Sequence, residues 1–388
     1  MLTILTNFGA GFGPLVRTFD MARRIRLRLQ PILDEPINIL IPWVYGKNQL
    51  RILKEEVANE PDLFERVFLS QELGDALRPL LFSGKGLNEE LDRYLKFYQA
   101  QKKLWDYFLK SSLNIVDLLH RRGKVEPDSI RLEVTRNPVL PTNIEHSYYS
   151  SVSYFSSIFK ELQERKNVSG INYDLIEKAL IKFRGMETEY RLHFQPVLGC
   201  MSFKESTQPL FSTERKTPPL IPEPKTMTGN LKNGIYISVS GIPGLSPLYN
   251  EALRLPQTIY TNNLSSVNPD AKVYPPEYIT HSSVNHVFAR AAWNTIWLAN
   301  LSGTPLICPK HSLEDHPEIF FNLQSVSKFK LAYIWNSKEI SLEDFLSNIP
   351  CGKQKPPEIY GKIKNRFGTL DGLQFCADNI VKDFLHAN

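Results

Sequence analysis

Cysteine is scarce: Cys200, Cys308, Cys351 and Cys376 are the only four in 388 residues, and no two form a CxxC pair. That scarcity excludes a disulfide framework and a thiolate-rich zinc site, and it fits reduced thiols in a cytoplasmic protein. Long hydrophobic runs are missing as well. No apolar segment approaches the roughly 18 residues that mark a membrane-spanning helix, so at most peripheral contact with the inner face of a membrane is expected. Charge of one sign is not in excess, with 46 Lys and Arg against 41 Asp and Glu for a formal net charge of +5. No nucleic-acid partner is expected, because such a partner calls for basic clustering. With 42% hydrophobic and 22% charged residues, disordered and collagen-like classes are excluded. The first apolar run has no basic segment before it and meets glycines at once, so it reads as a strand and not as a signal peptide.

What is present is an α/β rhythm, over a length that suggests two domains. Residues 2–6 form an apolar strand, and Gly9, Gly11 and Gly13 a turn whose backbone is free to adopt positive φ. Residues 15–29 follow with helical spacing. Further strands are expected at 37–41, 67–69 and 129–135. Helices are expected at 47–58, 87–122, 150–166 and 173–190, the second of these interrupted near Ser111 and Ser112. From 208 to 233 the chain is rich in proline, threonine and lysine, as linkers are. A new rhythm then opens with a strand at 234–240, a glycine turn and a helix at 246–255. Strands at 257–260, 270–274 and 329–335 and helices at 341–346 and 371–386 complete it. The expected organisation is an N-terminal α/β domain (1–207), a proline-rich linker (208–233), a C-terminal α/β domain (234–370) and a terminal helix (371–388).

The most informative stretch is residues 285–309, NHVFARAAWNTIWLANLSGTPLICP, a strand-turn-helix-turn-strand unit. Arg290, Asn294 and Thr295 cluster where its first strand hands over to its helix. A helix N-terminus presents unpaired amides and partial positive charge, which suits phosphate, and an arginine there can add a charge-assisted contact. The plainer reading is that Asn294 or Thr295 caps the helix and Arg290 lies on the surface. A second turn, Ser240, Gly241, Ile242, Pro243 and Gly244, lacks both GxGxxG spacing and a Walker lysine, and a tight strand-to-helix connection is the better explanation of it. The turn from Gly9 to Gly13 looks like a dinucleotide fingerprint, but no acidic residue closes the next strand, which disfavours a dehydrogenase.

Together these turns resemble the GT-B glycosyltransferases, in particular the branch of the peptidoglycan lipid-intermediate N-acetylglucosamine transferase and the UDP-glycosyltransferases. Arg290, Ala291, Thr295, Gly303, Pro305 and Pro309 sit at matching positions of that signature. The turn from Gly9 to Gly13 is similar to the family's acceptor-side loop, and the one from Gly241 to Gly244 to the first loop of its donor domain. The resemblance implies two Rossmann-like domains facing a cleft. It also implies transfer of a sugar from a nucleotide-diphosphate sugar, UDP-linked, to an acceptor that is lipid-linked or a small molecule, with inversion. Neither a metal nor a cofactor beyond that co-substrate is implied. Donor binding would fall to Ser240, Gly241, Gly244, Arg290, Asn294 and Thr295, with Glu318 at a sugar hydroxyl and Asn322 ending the stretch. His311 and His316 precede them and are candidates for phosphate or sugar.

Three departures from the pattern bear on activity. The family's ribose-binding Glu is Leu298 here, which cannot accept a hydrogen bond. The Gly expected after Ala291 is Ala292, followed by the bulky Trp293. The histidine base of the N-terminal loop is absent, leaving Asp20 as the nearby carboxylate for general-base work. These departures keep a second reading open, a catalytically silent GT-B-like protein that binds or assembles, with a sugar-nucleotide epimerase ranked below it. The long basic helix with Trp105 and Phe108 reads first as an amphipathic core helix, and second as a membrane-surface one.

Overall fold

Two sheets organise the chain, and the computed structural model describes residues 1–83, 85–165, 168–204, 208–239, 249–263, 267–311 and 317–387. The first sheet holds β1 (Leu2–Phe8), β2 (Ile37–Pro42), β3 (Val67–Ser70), β4 (Leu113–Asp117), β5 (Arg122–Val125), β6 (Ile130–Arg136), β7 (His146–Ser150), β8 (Leu192–Pro196) and β9 (Glu214–Thr217). Their spatial order is β5-β4-β3-β2-β1-β6-β7-β8-β9. All neighbours run parallel except β3 with β4 and β4 with β5. Every residue of β1 and of β2 is buried, as the near-continuous apolar runs of a central parallel strand demand. Helices α1 (Phe12–Leu29), α2 (Gly46–Glu56), α3 (Gln71–Leu77), α4 (Leu87–Leu109), α5 (Phe155–Glu164) and α6 (Tyr173–Glu187) connect these strands.

The second sheet is wholly parallel, in the order β12-β11-β10-β13-β14-β15. Its strands are β10 (Gly234–Ser238), β11 (Thr258–Thr261), β12 (Lys272–Val273), β13 (Val284–Ala289), β14 (Leu306–Pro309) and β15 (Tyr333–Trp335). Helix α7 (Trp293–Leu301) joins β13 to β14, so the unit read from residues 285–309 is present as expected. Helices α8 (Pro317–Lys328), α9 (Leu342–Ser347), α10 (Glu358–Phe367) and α11 (Gly372–Ala387) complete the chain. Each sheet has one place where the strand order turns outward in both directions, between β1 and β6 in the first and between β10 and β13 in the second. Open α/β sheets bind ligands beyond the C-terminal strand ends at such points.

Four expectations change. The helix expected over 87–122 stops at Leu109, and an antiparallel hairpin of β4 and β5 follows. Leu113, Ile115 and Asp117 are buried on alternate positions, so the period there is two and not 3.6. The polar strand β7, HSYYS, and the strand β8 lie where no strand was expected. Residues 208–233, expected as a linker, supply β9 at the edge of the first sheet. Finally, α11 returns to the first sheet and packs on α1. Arg24 meets Asp371 at 2.9 Å, Arg28 meets Asp378 at 2.9 Å, and Asp383 accepts from Tyr148 at 2.9 Å and Arg191 at 2.5 Å. Among the described residues no helix is long and apolar enough to cross a membrane.

Candidate active site where the two sheets meet

From the first sheet, β1 ends at Phe8 and the chain turns through Gly9, whose amide donates to the Arg136 carbonyl at 3.0 Å. A Cβ on Gly9 would collide with the Asn137 carbonyl, so the close passage of these two strand ends requires glycine. Gly11, at φ 101°, is the N-cap residue of α1, and no side chain caps that helix. Its amide donates to the Tyr45 hydroxyl at 2.6 Å, and burial pushes the Tyr45 phenol up to about 12. Gly13 lies in the first turn of α1. A Cβ there would stand 3.4 Å from Nδ2 of Asn294, so this turn touches the second sheet's helix α7 directly.

From the second sheet, β13 leads into the buried Arg290 and Ala291. The N-cap of α7 is Ala292, neither Asn294 nor Thr295, and it makes no side-chain cap hydrogen bond. Alanine in that position forgoes about 1 kcal/mol relative to a serine or aspartate cap, and it leaves the first-turn amides without one. Asn294 turns its Oδ1 toward the first sheet, where Nη2 of Arg136 donates to it at 3.3 Å. Glu318, half-buried in the first turn of α8, completes the cluster. Burial lifts its carboxyl above the ordinary range, opposed by the charges of Arg136 and Arg290 and by a hydrogen bond with Asn322.

The expected residues Gly13, Arg290, Asn294 and Glu318 therefore come together, with the half-buried Thr295 beside Asn294 on α7. Ser240, Gly241, Gly244 and His316 lie outside the described residues. Two assignments need correction. Asn322, expected at the donor, is fully buried; its Oδ1 accepts from the Trp293 indole at 2.8 Å and its Nδ2 donates to the Ala291 carbonyl at 2.7 Å. It braces the turn that carries Arg290 and has no face left for a sugar. Asp20, expected as general base, is buried at a node of guanidinium groups, with Arg23 at 2.9 Å, Arg24 at 3.4 Å and Arg17 at 3.9 Å. It also sits eight residues into α1, about 12 Å along the axis from the helix start. Leu298 packs against the core and offers no hydrogen-bond acceptor.

Arg136, which ends β6, was not singled out in the sequence, where only a strand followed by Asn137 and Pro138 marks its place. It is 6% exposed, and among the described residues its Nη1 has no hydrogen-bond partner. Burial pushes its guanidinium down to about 10, Arg17 adding to the fall and Glu318 opposing it, so it stays cationic at neutral pH.

No protein-family model matches the sequence, and no curated protein matches it significantly. Solved structures do. The calicheamicin glycosyltransferase CalG4 superposes with a TM-score of 0.54 at 13% identity, over 98% of this chain and 97% of that one. Arabidopsis thaliana UGT89C1, complexed with UDP-L-rhamnose, gives 0.56 at 10% identity over 98% of both chains. The Streptomyces sp. SF2575 glycosyltransferase SsfS6, complexed with thymidine diphosphate, gives 0.51 at 10% identity over 100% of this chain and 99% of that one. With two parallel-rich sheets meeting at their switch points and a full-length match to these structures, the chain has the GT-B fold.

Proposed function

We propose that this chain is a glycosyltransferase that moves a sugar from a nucleoside-diphosphate donor to an acceptor hydroxyl. One observation carries the reading: the uncapped start of α7, with Arg290 and Glu318, lies against the glycine turn of the first sheet at the switch points of both. A helix start without a side-chain cap holds phosphate oxygens through its amides and its dipole. Arg290 supplies countercharge to the diphosphate as it leaves, and Glu318 accepts from a sugar hydroxyl. Thr295 and Asn294 flank the phosphates, and the loop from Gly9 to Gly13 lines the acceptor side. The acceptor hydroxyl oxygen bonds to the sugar's anomeric carbon as the bond to the nucleoside diphosphate breaks, with inversion, and the hydroxyl proton passes to solvent. UDP or thymidine diphosphate is the carrier, as in the fold's nucleotide-bound neighbours.

Calorimetric titration with UDP and thymidine diphosphate, followed by turnover assays with their sugars, tests this. Binding in the micromolar range with release of the nucleoside diphosphate on turnover supports it; absence of binding to both nucleotides counts against it. Leu298 favours a second reading, a GT-B-like binding protein without turnover, because the helix lacks an acceptor for ribose hydroxyls where it packs on the core. Nucleotide binding without hydrolysis or transfer of any donor would select that one.

A further inference from the structure

The positive ends of two helices converge at Asn294. Helix α1 starts at Phe12 behind Gly11, helix α7 starts at Trp293 behind Ala292, and neither has a side-chain cap. The Gly13 turn of one stands against Nδ2 of Asn294 in the other. Into this meeting point runs a buried guanidinium from the opposite sheet. Arg136 commits Nη2 to Asn294 at 3.3 Å, whereas its Nη1, with less than 1 Å² exposed, donates to nothing among the described residues.

An unpaired donor on a buried cation costs free energy that a native fold recovers elsewhere. Glu318 offsets part of the charge, but it is shared with Arg290, so one carboxylate faces two guanidiniums. The nearest Arg17 spends its charge on Asp20 at 3.9 Å and Glu277 at 3.6 Å, and its field adds to the unfavourable environment of Arg136. Two helix starts without a side-chain cap and a buried, unpartnered guanidinium N–H of Arg136 therefore meet at one place.

We infer that Arg136 is an anion-binding residue contributed by the first sheet, and that it closes onto the diphosphate of a nucleoside-diphosphate ligand held at the start of α7. The inference rests on the proposed donor site, and adds that the site is complete only when both sheets supply their part. Arg290 would hold the diphosphate from the second sheet and Arg136 from the first, exchanging its Asn294 contact for a phosphate oxygen. Ligand binding then draws the two sheets together through one charge-assisted bond.

The test is calorimetry with inorganic pyrophosphate, UDP and thymidine diphosphate on the intact protein, its Arg136→Gln variant and its Arg136→Lys variant. Losing one bond to a charged group weakens both pyrophosphate and UDP about tenfold or more in Arg136→Gln. Arg136→Lys keeps the charge without the fork and is expected to fall between the two; if Arg136→Gln does not fold, Arg136→Lys is read alone, and wild-type affinity in it counts against the inference. Equal affinity for wild type and Arg136→Gln overturns the inference while leaving the donor site standing. Wild-type protein that binds neither pyrophosphate nor a nucleotide overturns both. Pyrophosphate bound in an Arg136-dependent way, with UDP and thymidine diphosphate no tighter than pyrophosphate, overturns the assignment to a nucleoside diphosphate together with the nucleotide-sugar reading, and leaves Arg136 as a binding residue for pyrophosphate alone.

Discussion

At the scale of single residues, the site depends on groups that position as much as on groups that bind. On the proposed reading Arg290 belongs to the second kind: replacing it with glutamine removes a countercharge and is expected to weaken UDP binding about tenfold by calorimetry, and, because Arg290 is buried and faces Glu318, to lower the melting temperature as well. Asn322 belongs to the first. Asn322→Ala leaves the Trp293 indole and the Ala291 carbonyl buried and unpaired, and is expected to cost about 2–4 kcal/mol in denaturant unfolding; a loss under about 0.5 kcal/mol would show that the brace is dispensable. Away from the site, Glu133 and Glu187 are fully buried, and burial pushes each carboxyl up to about 7. Neutral amide-like pairing surrounds them: Asn7 donates to Glu133 at 3.0 Å, and Tyr149 and the Phe155 amide donate to Glu187 at 3.1 and 2.7 Å. Their folded-state values lie above the unfolded ones, so the folded state holds more protons between about pH 4.5 and 7 and stability falls as pH rises through that window. Glu187→Gln is expected to flatten that fall in melting temperature between pH 5 and 7.5; an unchanged slope refutes the assignment for Glu187.

At the scale of elements, the β13-α7-β14 unit was legible from residue types because each of its parts obeys a local rule. Its strand β14 is apolar throughout and β13 is apolar apart from Asn285 and His286, and Gly303 stops the helix at φ 71°. A Cβ on Gly303 would also collide with the Gln354 carbonyl, which accepts no displacement without moving the segment behind α10. Gly303→Ala is therefore expected to lower stability by about 1–3 kcal/mol, read by thermal unfolding. Other elements were not legible. The strand β7 reads HSYYS, yet all five residues are buried, because its polar groups find partners across the fold: Ser150 donates to the Thr135 carbonyl at 3.2 Å and Tyr148 to Asp383 at 2.9 Å. The hairpin of β4 and β5 was read as helix because Ile115, Val116 and Leu119 also fit helical spacing over so short a run. Only the place of β4 beside β3 selects the extended form. The cap of α7 is a similar case, since Asn294 suits a cap by type but its side chain is held by Arg136.

At the scale of the whole molecule, α11 ties the end of the chain to its beginning. Leu373, Cys376, Ala377, Ile380 and Phe384 are buried, and Asp371 just before it and its own Asp378 and Asp383 pair with arginines of α1 and of the segment before β8. Deleting residues 371–388 should expose this apolar strip on α1 and the first sheet. The expected result is dye binding at ambient temperature and a lowered, broadened melting transition; a sharp transition at the wild-type temperature would sink the claim that α11 is part of the first unit's core.

The sequence by itself determined what local chemistry can specify: strands from apolar runs, turns from glycines, the helix start of α7 from its flanks, and the resemblance that led to the GT-B fold. Tertiary structure alone decided which of those pieces meet. The arginines that hold Asp20 lie within four residues of it, and only its burial is not local; for Asn322 and Arg136, polar residues on regular elements, nothing in their neighbours along the chain tells a brace from an unpaired donor. Partners 29 to 158 residues away make the difference for Asn322 and Arg136. A side chain's role at a junction of two sheets is set by what the other sheet brings to it, and that information is not local.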